Sequence, residues 1–117
     1  MDTKFINMEY LDSVSGGDVS IISELVTMFK EQTVEIYNEM KSLLAQKDYT
    51  SLGLLAHKAK SSVAIMGMTE LSHLLKEFEL QTREMKEIQM YAGYIEKFRA
   101  DTGEAIKELE KIVITRT

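Results

Sequence analysis

The stretch that decides the fold is residues 18–46, DVSIISELVTMFKEQTVEIYNEMKSLLAQ. Apolar side chains recur in it at alternating intervals of four and three, which places them on one face of a helix. This spacing is typical of a seam in a helical bundle, and Thr33 is its one polar member. The seam consists of Ile22, Val26, Phe29, Thr33, Ile36, Met40 and Leu43. Because Asp18 is a good N-cap residue, we predict a long helix that begins after it and runs to about Gln46.

The C-terminal part of the chain repeats this spacing, with a second seam of Tyr91, Ile95, Phe98, Thr102, Ala105, Leu109 and Ile112. Two further helices are predicted between the seams. One follows Asp48, another N-cap residue, and ends near Gly67, which suits the position after a helix end. The next runs from about Thr69 to Met85, with inward positions at Leu71, Leu74, Leu75, Phe78 and Met85.

A short helix, from about Asn7 to Val14, precedes the four long ones. Four long helices joined by short connections predict an all-α fold, an antiparallel up-down four-helix bundle with a short extra N-terminal helix. The 117 residues suffice for one domain with a real core, so we expect a single domain over residues 1–117. A closed bundle of this kind needs no second copy, and we expect a monomer.

Composition excludes several classes of function. The chain has no cysteine, which rules out disulfides, thiolate metal sites and thiol nucleophiles. The formal net charge of −5, with no basic stripe, argues against binding nucleic acid. Apolar runs are only a few residues long and no signal pattern is visible, so we expect no membrane association and a cytoplasmic location.

His57 is the residue that points most directly to chemistry. On a helix at about 100° per residue, it lies opposite the apolar face formed by Leu52, Leu55, Ala59, Ser62 and Met66. Gly53, Ser61, Ala64 and Thr50 fall around it, so we expect room for another molecule to approach the imidazole. Lys60 lies one turn further on, where its ammonium can meet an anion on the ring. This arrangement suits a histidine that carries a phosphoryl group.

The run from His57 to Gly67 resembles the signature of the histidine-containing phosphotransfer (HPt) domains of two-component phosphorelays. The signature reads His, any residue, hydrophobic, Lys, Gly, small, small, with a Gly several residues later. It stands here as His57, Lys58, Ala59, Lys60, Ser61, Ser62, Val63 and then Gly67. The flanks also resemble the family, at Leu11, Gly16-Gly17-Asp18, Leu25, Phe29, Asp48, Ala56, Leu71 and Phe78-Glu79. Ser61 departs from the pattern, because glycine is usual there, and adds bulk and a hydroxyl donor beside the ring.

The resemblance implies a carrier without autokinase activity. A receiver-domain aspartate would give its phosphoryl group to His57, and a second receiver aspartate would take it. Lys60 and Ser61 would stabilise the phosphoryl group, and Glu79 would orient the ring through its other nitrogen. The partners implied are response-regulator receiver domains and a hybrid sensor histidine kinase. No cofactor is expected in this chain, since Mg²⁺ would come from the receiver.

The small or apolar residues near His57 predict where a receiver docks. They are Gly53, Leu54, Ser61, Ala64 and Ile65, at positions where a surface helix normally carries Lys or Glu.

Other functions weighed against the carrier fit less well. A helical adaptor that binds a partner protein and carries no phosphate is the main alternative, and His57 with Lys60 favours the carrier. A zinc site from His57, His73 and nearby glutamates lacks convincing ligand spacing. Ser61 and Ser62 lack the nucleophile elbow of a hydrolase, and no Gly-rich nucleotide loop is present.

Overall fold

The computed structural model describes residues 5–116. This part of the chain contains five α-helices, α1 (Met8–Ser15), α2 (Val19–Ala45), α3 (Tyr49–Ile65), α4 (Thr69–Glu84) and α5 (Tyr91–Arg116). A single 3₁₀ turn, Ile88–Met90, leads into α5. Residues 5–116 include no strand, and the predicted all-α class is confirmed. The ends of the predicted single domain, residues 1–4 and Thr117, lie outside the described residues.

The four long helices form the predicted bundle. Helix α3 packs between α2 and α4, and α5 closes the ring against α4 and α2. Consecutive helices are joined by short connections within a molecule of 45 × 20 × 19 Å, so each long helix runs antiparallel to the one before it. No helix in the described residues is long and apolar enough to cross a membrane.

The two predicted seams lie in the core. Every predicted seam position of α5 is buried, and so are those of α2 except the half-buried Leu43. The two seam threonines are buried, and each hydroxyl is satisfied because it donates a hydrogen bond to a carbonyl of its own helix. Thr33 Oγ1 lies 3.1 Å from the Lys30 carbonyl, and Thr102 Oγ1 lies 2.7 Å from the Phe98 carbonyl. A hydroxyl satisfied in this way costs little when it is buried.

The predicted helix ends are confirmed by their hydrogen bonds. Asp18 accepts from the Ser20 amide at 2.8 Å, and Asp48 accepts from the Ser51 amide at 3.1 Å. Helix α3 ends in a Schellman motif, in which Gly67, at φ 73°, donates to Ala64 and the next amide donates to Val63. A Cβ on Gly67 would also lie only 3.0 Å from the Asn7 side chain. Glycine therefore satisfies both the backbone conformation and the close approach of the N-terminal segment.

One predicted core position is wrong. Met85 was expected to face inward as the last apolar residue of the fourth helix, but it is 57% exposed. Helix α4 ends at Glu84, and Met85 adopts a left-handed conformation with φ 54°. Because the helix ends one residue before Met85, the helical spacing that predicted an inward side chain does not apply to Met85.

Candidate functional site

His57 lies in the middle of α3, on the side that faces away from the core. Its side chain is 57% exposed, whereas Leu55, Ala56 and Ala59 on either side of it are buried. His57 is therefore exposed and Leu55 and Ala59 are buried, as the helical phase predicts, but Gly53 departs from that phase.

Glu79 of α4 holds the imidazole in one orientation. His57 Nδ1 lies 3.1 Å from both Glu79 carboxylate oxygens, and Glu79 is only 8% exposed. An ionised carboxylate can only accept, so Nδ1 donates its hydrogen to Glu79. The neutral ring then has an unprotonated Nε2, the nitrogen on the other side of the ring, as its nucleophilic atom. The structure thus brings together the two residues that the sequence analysis pairs.

The Glu79 carboxyl is ionised at neutral pH. Burial raises the pKa of Glu79, but the hydrogen bond and electrostatic attraction from the His57 ring, together with the positive charges of Lys60 and Arg83, outweigh it. The pKa of Glu79 therefore lies below its ordinary value.

Lys60 lies near Glu79 and near the Nδ1 atom of His57. Its Nζ is 3.6 Å from Glu79 Oε1 and 3.5 Å from His57 Nδ1, and the side chain is 24% exposed. Because Nδ1 already donates to Glu79, the ammonium cannot donate to that atom. In this arrangement Lys60 pairs with the carboxylate, on the Nδ1 side of the ring.

Arg83 is a member of the site that the sequence analysis missed. It follows Glu79 by one turn of α4, and its Nη2 lies 2.9 Å from Glu79 Oε2. The signal was present in the sequence, because an acid and a base four residues apart on a helix face each other. Three basic groups, from His57, Lys60 and Arg83, therefore surround one carboxylate.

Gly53 is not on the outward face where the sequence analysis placed it. It is buried between α3 and α4, and a Cβ built on it would overlap the hydroxyl of Thr82. That hydroxyl donates to the Glu79 carbonyl at 2.7 Å. Gly53 therefore permits the close approach of α4 that brings Glu79 to His57, and its predicted position on the docking surface is corrected.

The other residues of the predicted docking surface are exposed. Leu54 is 71% exposed and Ile65 is 48% exposed, and Ser61 and Ala64 are also exposed. These four residues lie on the same helix as His57, on both sides of it along the chain. We call Leu54, Ser61, Ala64 and Ile65 the α3 surface.

His73 does not join His57 in a cluster of metal-ligating groups. It is an exposed residue of α4. Within residues 5–116, no group of three or more His, Asp or Glu side chains is arranged to hold a metal ion.

Comparison with protein families identifies the Hpt domain family. The model of the Hpt domain family matches residues 24–112, which include the whole of α3 and α4. No match was found among curated proteins or among solved structures. A match over most of the chain, around a bundle with an exposed histidine on its third helix, shows that the chain belongs to the Hpt domain family, whose members are phosphotransfer carriers of two-component signalling.

Proposed function

We propose that this protein accepts a phosphoryl group from a receiver-domain aspartate onto His57 and passes it to another receiver aspartate. The observation that carries the proposal is the exposed imidazole whose Nδ1 donates to the buried, ionised Glu79. A ring held this way offers Nε2 to an incoming molecule. Its exposure leaves space for the donor, and its hydrogen bond fixes the tautomer.

The transfer is an in-line displacement at phosphorus. The lone pair of His57 Nε2 forms a bond to phosphorus, while the bond from phosphorus to the aspartyl oxygen breaks and the aspartate leaves as a carboxylate. The ring keeps its Nδ1 hydrogen and gains positive charge, which the adjacent Glu79 carboxylate stabilises. Onward transfer reverses these steps on a second receiver. The protein contributes position and charge, which are what phosphoryl transfer requires most.

Lys60 and Ser61 are the residues proposed to stabilise the phosphoryl group. The ammonium of Lys60 is a mobile point charge on a flexible stem, within one turn of His57. The hydroxyl of Ser61, one turn after His57 on the exposed side of α3, can donate a hydrogen bond to a phosphoryl oxygen. Mg²⁺ belongs to the acidic pocket of the receiver, so this chain uses no cofactor of its own.

The α3 surface is proposed as the docking site for the receiver. Its apolar members, Leu54 and Ile65, offer contact area, and the small Ala64 lets the receiver's acidic pocket come close to the imidazole. The partners are response-regulator receiver domains and a hybrid sensor histidine kinase. In this proposal the chain acts as a cytoplasmic monomer of one domain, without autokinase activity.

The test is incubation with a phosphorylated receiver domain, with and without His57. We expect label on the wild-type chain that is lost in acid and stable in base, and none on His57→Gln. His73→Gln is the matched control and should be labelled like the wild type, because His73 is also exposed but has no Glu79 beside it. An unlabelled wild type would overturn the carrier in favour of the adaptor, and a labelled His57→Gln would overturn the site.

A further inference from the structure

Glu79 has more basic partners than it needs to orient an imidazole. Its side chain is 10% exposed and is contacted by His57, Lys60 and Arg83. The two permanent cations reach different oxygens. Lys60 Nζ lies 3.6 Å from Oε1, and Arg83 Nη2 lies 2.9 Å from Oε2. The contact from Arg83 to Glu79 is shorter than the contact from Lys60. Arg83 is also a donor that is charged at every accessible pH.

The position of Lys60 is not yet the one that the proposed reaction needs. A phosphoryl group on Nε2 would lie across the ring from Glu79, whereas Lys60 now pairs with Glu79 on the Nδ1 side. To bring its ammonium to the phosphoryl oxygens beyond Nε2, Lys60 would move away from Glu79. Leaving a largely buried carboxylate without a cation is unfavourable, so Glu79 alone would hold the lysine back.

Resting on the function proposed above, we propose that Arg83 is a positioning residue that keeps Glu79 paired and thereby releases Lys60 to the phosphoryl group. The guanidinium of Arg83 donates to Glu79 Oε2, and both residues are on α4. This contact therefore does not depend on how closely another helix approaches. When Lys60 moves, Glu79 still has a cation and still accepts from Nδ1 of His57. The ionised Glu79 then leaves the Nδ1 hydrogen on the phosphorylated ring, which keeps that ring a good leaving group.

Two simpler roles for Arg83 make different predictions. Its side chain is 68% exposed, and an exposed i,i+4 ion pair usually has little effect on stability. If this were all, removing Arg83 would leave transfer unchanged. If the guanidinium instead bound the phosphoryl group directly, its effect would not depend on Lys60.

The experiment is a double-mutant cycle of Arg83→Gln and Lys60→Ala, read as the rate of phosphoryl transfer from a phosphorylated receiver. We expect Arg83→Gln to slow transfer on the order of tenfold in the wild-type background, and by less than about twofold when Lys60 is already alanine. Arg83→Lys should restore most of the rate, because the role requires a charge and not a planar fork. Equal effects of Arg83→Gln in both backgrounds would overturn the proposal, as would no effect in either.

A matched control separates this role from a general loss of an ion pair. Lys97 pairs with the nearly buried Asp101 at 3.2 Å, also four residues apart, on α5. Lys97→Gln should leave the transfer rate unchanged, and an equal loss of rate in this variant would overturn the proposal. Failure of the underlying function is distinguishable, since the wild type would then take no label at all.

Discussion

At the residue scale, the site is built around the Glu79 carboxylate as much as around His57. Glu79 selects the imidazole tautomer, while Lys60 and Arg83 keep the carboxylate ionised in a largely buried position. The hydrogen bond spans two helices, so the orientation of the ring depends on both α3 and α4. A substitution of Glu79 should therefore change both the free energy of unfolding and the tautomer of the His57 ring.

Glu79→Gln should lower the free energy of unfolding at neutral pH, and the loss should shrink as the pH falls. The pKa of Glu79 is lowered in the folded state, so its stabilising charge is fully present above the unfolded pKa of about 4.5. This contribution is lost as the pH falls through the lowered folded pKa. Urea unfolding of both proteins between roughly pH 6 and pH 3 measures the difference. A difference that stays constant over this range would contradict the pairing.

The sequence allowed a partial prediction at this scale. His57 and Lys60 were identified from helical phase, because that phase needs no knowledge of neighbouring helices. Glu79 was identified only by the resemblance, since no local pattern tells which glutamate of α4 faces α3. Arg83 was missed because an acid and a base four residues apart usually lie on a solvated helix face. In this pair Glu79 is buried, and the sequence alone does not show that burial.

At the scale of the helix pair, Gly53 determines how closely α3 and α4 approach. Helical phase placed Gly53 beside His57 on the open face, and it could not show that Thr82 fills the space where a side chain would be. The seams of α2 and α5 were predictable because the spacing of four and three residues repeats along most of each helix. The close contact at Gly53 was not, because it depends on the position of a second helix.

Gly53→Ala tests this contact. Alanine favours a helix over glycine by up to about 1 kcal/mol, but the added Cβ would overlap Thr82 and cost about 1–3 kcal/mol. Gly103→Ala on α5 is the control, because a Cβ there meets nothing within 4 Å. We expect the Gly53 variant to be less stable than the Gly103 variant in thermal and urea unfolding. Equal stabilisation by both substitutions would show that α3 and α4 are not in close contact at Gly53.

At the scale of the whole molecule, the bundle places the candidate site on one outer helix, away from the helix on the far side of the ring. His57 and the α3 surface lie on one helix, while α5 lies across the ring and contacts α2 and α4. An up-down bundle exposes one outer face of each helix, so a partner can engage α3 without disturbing the core. A bulky substitution on the α3 surface should therefore block a partner and leave the fold intact.

Ala64→Arg should sharply reduce phosphorylation by a receiver, while labelling by phosphoramidate should survive. The arginine blocks the approach of a protein but not of a small donor. Ala100→Arg is the matched control, because Ala100 is also an exposed alanine but lies on α5. Loss of both activities in Ala64→Arg would indicate local distortion, and loss of neither would place docking elsewhere. Gly53→Arg would be unsuitable here, because Gly53 is buried.

The most direct test of the account is to locate the phosphoryl group by long-range ¹H–¹⁵N NMR of the histidine rings after treatment with phosphoramidate. We predict a phosphoryl group on Nε2 of His57, a hydrogen retained on Nδ1 opposite Glu79, and an unmodified His73. A phosphoryl group on Nδ1 of His57, on His73 alone, or on neither histidine would contradict the account.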